Sequence, residues 1–214
     1  MIQTFSENNF EEICDALSEK DQHLKSVIDV YGYPPMWTRE NSFKTLVHII
    51  LEQQVSLASA LSALNKFEER LGEITPENAL LLTDEEYKQC QFSRQKTSYT
   101  RFLAQALIEK RIVLEELEKL PNEQVRELLV TLKGIGNWTV DVYLMFALRR
   151  TDLFPIGDLA AVNAYKHLKE FPKEYTKESI LEDAEQWKPN RTIATMILWH
   201  FYLSNRKKTP SSLL

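Results

Sequence analysis

Residues 132–139 read Leu132-Lys133-Gly134-Ile135-Gly136-Asn137-Trp138-Thr139 and lie between two segments whose apolar residues recur at helical spacing. Glycine permits a tight turn, and without a Cβ it leaves backbone N–H groups open at the start of the following helix. The dipole of that helix favours a negative charge, so the turn suits a phosphate group, to which Lys133 and Asn137 can add side-chain contacts. A plain tight turn between packed helices has the same composition, and both interpretations stay open on these residues.

Helical spacing of apolar residues recurs along the chain, and no stretch alternates convincingly between apolar and polar residues. The spacing predicts one long amphipathic helix from Phe43 to near Gly72, and Thr75-Pro76-Glu77 starts the next helix in the order N-cap, proline, acid. Further helices are predicted over 84–90, 94–110, 122–131, 137–149, 158–170 and 190–204. The predicted fold class is therefore all-α.

The chain has 214 residues, 43% of them hydrophobic, which is enough to bury a sizeable core. We expect a single unit made of two closely joined helical lobes. A central lobe is expected over about 41–131, the hairpin turn over 132–139, a second lobe from 1–40 together with 140–204, and a polar tail over 205–214.

Composition narrows the classes of function. The formal net charge of −5 argues mildly against a nucleic-acid partner, but such binding depends on local clusters of Lys and Arg rather than on the total. No apolar run approaches the ~20 residues that span a bilayer, and the start lacks a basic region followed by an apolar one, so we expect neither a membrane partner nor secretion. Cys14 and Cys90 are too few for a four-thiolate cluster, and no metal site is expected.

Four motifs together carry a resemblance to a known family. The hairpin residues 132–139, followed by Pro155-Ile156-Gly157-Asp158, resemble the helix-hairpin-helix DNA glycosylase superfamily. Ile50-Leu51-Glu52-Gln53-Gln54-Val55-Ser56 and Trp187-Lys188-Pro189-Asn190-Arg191-Thr192 are similar to its 3-methyladenine (alkylpurine) glycosylase II branch. The resemblance extends from about residue 21 to residue 203 and implies a monomer acting on damaged double-stranded DNA, with an active-site cleft between the lobes.

The resemblance also implies no cofactor, and it leaves open whether a monovalent cation sits in the hairpin turn. The expected location is the cytoplasm and nucleoid of a bacterium or the nucleus of a eukaryote.

Two features depart from the family pattern. The chain is too short for the extra N-terminal β domain of some members, and the turn at Cys90-Gln91-Phe92 lacks a glycine that relatives often carry there.

Asp158 precedes a good helical segment, and its residue type alone predicts a helix N-cap. The resemblance places the catalytic aspartate of the family at this position. Both roles are compatible, because cleavage of an N-glycosidic bond builds positive charge on the sugar, which a fixed anion stabilises. The same anion can orient or deprotonate the attacking water.

Trp138 bears on the second half of the reaction. Superfamily members that also cut the DNA strand carry a lysine at this position, whose amine attacks the sugar. Tryptophan cannot act in this way, and Lys133 lies on the other side of the turn. The resemblance therefore implies base removal by water without a lyase step.

A base flipped out of the duplex is held by stacking, and cationic alkylated purines suit electron-rich aromatic faces. Trp138 and Trp199 match pocket tryptophans of the resembled branch. Trp37 and Tyr143 are further candidates for the base pocket, with a place in the core as the alternative for each.

DNA contacts are expected at the hairpin and at the end of the Gln53-Gln54 segment, where Gln54 best matches the residue that fills the gap left by the flipped base. A capping or solvent-facing glutamine pair is the alternative, and Arg191 resembles either a structural or a DNA-facing arginine. The DNA-binding candidates are Lys133, Gly134, Gly136, Asn137, Gln53, Gln54 and Arg191. Further cations that can contact phosphates are Arg94, Lys96, Arg149 and Arg150.

Three hypotheses for function follow. The first is a glycosylase for alkylated purines, and the second is a glycosylase for another lesion, such as an oxidised or deaminated base. The third is a catalytically silent helix-hairpin-helix protein that binds DNA, against which the carboxylate of Asp158 argues.

Overall fold

The structure is a computed structural model that describes residues 2–169 and 176–208. Within these residues the chain forms thirteen α-helices, a short 3-10 turn at Glu185–Trp187 and no strand, so the predicted all-α fold is confirmed. Thr4 and Arg150 form an isolated antiparallel bridge. The helices are α1 Phe10–Lys20, α2 Gln22–Tyr31, α3 Phe43–Glu52, α4 Leu57–Leu71, α5 Pro76–Leu81, α6 Asp84–Gln89, α7 Arg94–Ile108, α8 Leu114–Leu117, α9 Asn122–Leu129, α10 Asn137–Phe146, α11 Leu159–Leu168, α12 Lys177–Ala184 and α13 Arg191–Lys208.

The chain divides into two compact units. The first unit combines Met1–Thr38 with Arg149–Leu214, and the second unit is Arg39–Leu148. The predicted second lobe begins at residue 140, whereas the structure groups residues 140–148 with the hairpin. The reason is that α10 packs against α3 and α9, which belong to the second unit.

The predicted polar tail also starts differently. Helix α13 continues through residues 205–208, which the prediction assigns to the tail. Residues 209–214 of that predicted tail lie outside the described residues, as do residues 170–175.

Helix α3 lies at the centre of the second unit and contacts α4, α7 and α10. The apolar residues of α3 are buried around nearly the whole helix, and most apolar residues of α10 are buried too. Each fully buried aliphatic side chain stabilises the fold by roughly 1.5–3 kcal/mol, so these two helices supply much of the core energy of the unit. The buried apolar residues of α3 are Phe43, Leu46, Val47, Ile49, Ile50 and Leu51.

The predicted single helix from Phe43 to near Gly72 is wrong, because it is two helices. Helix α3 ends at Glu52 and α4 begins at Leu57. Between them Gln54 adopts a left-handed backbone with φ 59°, and the hydroxyl of Ser56 accepts a hydrogen bond from the backbone of Ser59 to cap α4. The apolar spacing continues across the break, which is why periodicity alone joins the two helices.

In the first unit, α13 contacts α1, α2 and α11, and its residues 192–198 are all buried. The buried carboxylate of Asp21 links α2 to Trp187 and Lys169 within this core. It caps α2 by accepting from the backbone of His23 at 2.9 Å, and its other oxygen accepts from the indole of Trp187 at 2.8 Å and lies 3.2 Å from the ammonium of Lys169. Burial by itself raises the pKa of Asp21, but the hydrogen bond from Trp187 and the charge of Lys169 outweigh it and hold the pKa below its usual value.

Replacing this carboxylate is expected to destabilise the protein strongly. Asp21→Ala should lower the free energy of unfolding by about 3 kcal/mol, because it leaves the buried N–H groups of Trp187 and of the α2 cap without their acceptor and removes one of the two carboxylates that pair with Lys169. Since the folded pKa is depressed, the loss should be complete above pH ~4 and shrink as the pH falls through the folded pKa. Denaturant titrations at several pH values measure this.

Asp29→Ala is the matched control, because Asp29 lies on the same helix in an exposed pair with Lys25. It should change stability by less than roughly 1 kcal/mol. A difference between Asp21→Ala and the wild type that stays constant down to pH 2 would contradict the role given to the Asp21 carboxylate.

Candidate active site and hairpin

Asp158 stands in the first unit where a stiff connector, residues 154–157, meets α11. The backbone N–H of Asp158 donates to the carbonyl of Pro155 at 2.7 Å, which closes a turn just before the helix. Its Oδ1 accepts from the backbone of Ala161 at 2.8 Å, as an N-cap does, and from the indole Nε1 of Trp199 at 3.0 Å. Because the residue is half-buried, a carboxylate of fixed orientation reaches the surface of this unit.

Two indole rings extend this site. Trp37 and Trp199 meet edge to face, with ring centroids 6.5 Å apart and planes at 75°, and both are half-buried. The N–H of Trp199 points to Asp158 while its ring meets Trp37. The first unit therefore brings together three of the predicted site residues, an anion and two aromatic rings, from three distant parts of the sequence.

The hairpin lies in the second unit and follows the predicted turn closely. Gly134 has φ 86°, and a Cβ added to it would lie 2.1 Å from Cγ of Tyr99, so only glycine fits. Gly136 caps α10 without a side chain, and an added Cβ there would meet no atom within 4 Å. The hairpin thus packs tightly at its first glycine and is open at its second.

Side chains flank the turn on both sides. Lys133 is exposed, donates to the hydroxyl of Ser98 at 3.1 Å and lies 5.4 Å above the ring of Phe102. Asn137 is exposed and its side-chain oxygen accepts from Arg126 at 3.1 Å. Both predicted DNA-binding side chains therefore lie at the surface beside the turn.

Arg126 is a residue that sequence reasoning missed. It pairs with Asp141, which joins α9 to α10 across the hairpin. Burial raises the pKa of Asp141 above its usual value, although Arg126 opposes the shift. No spacing rule for a single helix relates the two positions, because they belong to different helices.

The other predicted pocket residues of the second unit differ in exposure. Trp138 is half-buried in the first turn of α10. Tyr143 is fully buried, and its hydroxyl donates to Asn41 at 2.5 Å. A ring enclosed in the core offers no face to a base, so the structure reassigns Tyr143 from the base pocket to the core.

Arg191 has structural partners. Its guanidinium makes a two-pronged pair with Asp152, at 2.7 and 3.0 Å, and its third nitrogen lies 2.9 Å from Glu185. All three nitrogens are engaged at the start of α13, which favours the structural one of the two roles predicted for Arg191.

The two glutamines of the Gln53-Gln54 segment have different environments. Gln54 is exposed in the break between α3 and α4, whereas Gln53 donates to the hairpin at the carbonyl of Gly134 and the hydroxyl of Thr139.

Two further features of the sequence analysis can be located in the second unit. Lys96, one of the cations offered as a phosphate contact, donates to the carbonyl of Leu51 at 2.7 Å. The turn that lacks the family glycine still takes a glycine-like backbone, with φ 68° at Gln91.

Cys14 and Cys90 are both buried and free, and burial raises the pKa of the Cys14 thiol to about 12. In the part of the chain that the structure describes, no three His, Cys, Asp or Glu side chains are grouped so as to hold a metal ion. No helix of that part has the length and apolar character needed to cross a bilayer.

Comparison with known proteins decides the family. Residues 47–190 match the model of the HhH-GPD superfamily base excision DNA repair proteins. The chain belongs to this superfamily. The matched range includes the break between α3 and α4, the hairpin and Asp158, and the match confirms the resemblance indicated by the motifs.

Individual relatives of this HhH-GPD protein agree. It is 34% identical over 190 residues to DNA-3-methyladenine glycosylase 1 of Schizosaccharomyces pombe, covering 86% of this chain and 83% of that protein. The structure of the Schizosaccharomyces pombe 3-methyladenine DNA glycosylase in complex with abasic DNA superposes with a TM-score of 0.81 at 33% identity, covering 88% and 95% of the two chains. A DNA-3-methyladenine glycosidase from Bacillus halodurans superposes with a TM-score of 0.75 at 27% identity, covering 97% and 95%.

The two hairpin glycines of this HhH-GPD protein should respond differently to the same substitution. Gly134→Ala is expected to lower the free energy of unfolding by about 1–3 kcal/mol, because it combines a left-handed φ with a clash against Tyr99. Gly136→Ala should cost less than ~1 kcal/mol, since the backbone is ordinary and the space is open. Denaturant unfolding of both variants measures the difference.

The open space at Gly136 gives a second readout. If a phosphate approaches there, the added methyl group of Gly136→Ala should weaken binding to duplex DNA, measured by fluorescence anisotropy, in a protein of nearly normal stability. Equal loss of stability in the two variants would contradict the close contact between Gly134 and Tyr99.

Proposed function

We propose that this protein is a monofunctional DNA glycosylase that hydrolyses the N-glycosidic bond of alkylated purines after the base has been flipped out of the duplex. The observation that carries the proposal is the Asp158 carboxylate, held by the N–H groups of Ala161 and Trp199 at a half-buried helix start. The family membership and the relatives named 3-methyladenine glycosylases support it.

The proposed chemistry needs one anion and one water. The bond between C1′ of the deoxyribose and the purine nitrogen breaks, its electron pair leaves with the base, and the sugar acquires oxocarbenium character. The Asp158 carboxylate stabilises this positive charge and accepts the proton of the water that adds to C1′. The products are the free base and an abasic site.

The aromatic rings beside Asp158 support the choice of substrate class. A purine alkylated at N3 or N7 is cationic and electron-poor, and the electron-rich faces of Trp37 and Trp199 attract such a ring. Such a base is also a good leaving group, so the reaction makes little demand on a general acid. Trp138 is proposed as a further aromatic of the base pocket.

Backbone contacts at the hairpin are proposed to hold the damaged double-stranded DNA. The N-terminus of α10 at Gly136, which no side chain caps, and the neighbouring Lys133 and Asn137 are proposed to provide the sequence-independent phosphate contacts that a repair enzyme needs. We propose that one copy of the chain is sufficient, and that it acts where the DNA is, in the nucleoid of a bacterium or the nucleus of a eukaryote.

Incubation with methylated DNA, followed by chromatography of the released bases, tests the proposal. The wild type should release 3-methyladenine or 7-methylguanine. Asp158→Asn should reduce excision on the order of 100-fold or more, because it removes the charge that stabilises the transition state. The Asn side chain keeps an oxygen for Ala161 and Trp199, so binding to an abasic-site duplex should remain.

Other outcomes of this assay contradict the proposal in separate ways. Release of an oxidised or deaminated base alone would overturn the substrate class. Binding without release of any base would leave a silent DNA-binding protein, and near-normal excision by Asp158→Asn would remove Asp158 from its role.

Borohydride trapping tests the absence of a lyase step. A lysine nucleophile forms a Schiff base with the sugar, which borohydride reduces to a stable adduct of protein and DNA. With Trp138 in the first turn of α10, no adduct should form on abasic or methylated duplex. A trapped adduct that disappears in Lys133→Ala would show that Lys133 acts as a nucleophile and that the enzyme is bifunctional.

A further inference from the structure

Gln53 connects two segments of the second unit that are 81 residues apart in sequence. It lies at the end of α3, and its side-chain nitrogen donates to the carbonyl of Gly134 at 2.9 Å and to the hydroxyl of Thr139 at 3.0 Å. Both acceptors lie within the hairpin, Gly134 in the turn before α10 and Thr139 in the first turn of α10. The single amide therefore uses both of its N–H groups to hold the hairpin.

The two residues before Gln53 are also fixed. The carbonyl of Leu51 accepts from the ammonium of Lys96 at 2.7 Å, which neutralises the negative end of α3. The buried carboxylate of Glu52 makes a two-pronged pair with Arg39, at 2.6 and 3.0 Å. Three consecutive residues are thus anchored to three different parts of the second unit.

The residues after this anchor are exposed. Gln54 takes a left-handed backbone with φ 59°, and 46% of Val55 is accessible to solvent. A left-handed non-glycine residue costs about 1 kcal/mol or more and persists only where its neighbours hold it. The exposed Gln54 is therefore presented on a turn whose base is rigid, and the hydrogen bonds of Gln53 are part of that base.

We propose that Gln53 is a positioning residue whose hydrogen bonds hold the exposed Gln54 turn at a constant distance from the hairpin. The hairpin then binds the DNA backbone while Gln54 is already placed to enter the gap left by the extruded base. The inference rests on the proposed function, in which a base leaves the stack and the gap must be filled. Flipping costs a few kcal/mol of unstacking. A turn held in place in advance loses no further entropy when it enters the gap.

The inference makes Gln53 distinct from a residue that contacts DNA. Its loss should leave the hairpin free to bind the backbone while the insertion of Gln54 becomes slow or incomplete. The defect should then depend on how firmly the lesion is stacked, because a base that is already unstacked needs little help to leave the duplex.

The test compares two duplexes that carry the same methylated purine, one with the base paired and one with it opposite an abasic site. For Gln53→Leu, the single-turnover excision rate on the paired lesion should fall about 10- to 100-fold, the size of effect that a small misplacement produces. On the unpaired lesion the factor by which the excision rate falls should be at least ten times smaller than on the paired lesion. Affinity for an abasic-site duplex should stay within about threefold of the wild type.

Extrusion of the base can be measured in a variant that does not cleave the glycosidic bond. In the Asp158→Asn background, a 2-aminopurine next to the lesion reports unstacking by its fluorescence, and Gln53→Leu should reduce that signal. This arm separates the two hypotheses: a wild type that releases no base would overturn the proposed glycosylase function, while the fluorescence would still test the role of Gln53.

Two further variants complete the design. Thr139→Val removes one of the two acceptors of Gln53 and should give a smaller defect of the same kind, with a non-additive effect when combined with Gln53→Leu. Gln124→Leu, at an exposed position of α9, is the matched control and should behave as the wild type.

The proposal is overturned if Gln53→Leu slows excision equally on the paired and the unpaired lesion, or if it weakens binding of the abasic duplex by the same factor as it slows excision. The first result would indicate a role in chemistry, and the second a direct contact with DNA. Additive effects of Gln53→Leu and Thr139→Val would equally exclude action through their hydrogen bond.

Discussion

The second unit depends on one backbone position that has no room for a side chain. At Gly134 the chain passes so close to the ring of Tyr99 that a methyl group would overlap it. At this close approach the carbonyl of Gly134 accepts a hydrogen bond from Gln53, and α10 begins at Asn137 directly after the turn, with no side-chain cap at Gly136. A packing constraint at one glycine therefore serves both the hairpin and the turn that presents Gln54.

Several cationic side chains of this protein make structural contacts within their own unit. Lys96 and Arg191 are cations that the sequence analysis offered as DNA contacts, and Arg126 lies beside the hairpin, yet each is engaged with a carbonyl or a carboxylate of its own unit. The formal net charge of −5 is compatible with a DNA partner because the phosphate contact that we propose at the hairpin uses backbone N–H groups, which formal charge does not count.

The elements that local chemistry specifies could be predicted. The glycine pair at the hairpin, the Thr75-Pro76 helix start and the Asp158 cap are all found where residue type and spacing place them. The break between α3 and α4 was not predictable, because the apolar spacing continues through it. The left-handed Gln54 follows three residues, 51–53, that are held by partners distant in sequence, and apolar periodicity does not detect such contacts.

The sequence by itself determined the helical class, the hairpin and the helix N-cap at Asp158, because each depends on residues that are adjacent or one helical turn apart. The catalytic role proposed for Asp158 came from the family resemblance. The tertiary structure decided which side chains remain accessible. It enclosed Tyr143, engaged Arg191 with two carboxylates, and turned Gln53 inward while leaving Gln54 exposed. Accessibility of a side chain depends on what packs over it, and the residues that pack over these side chains are distant in the chain.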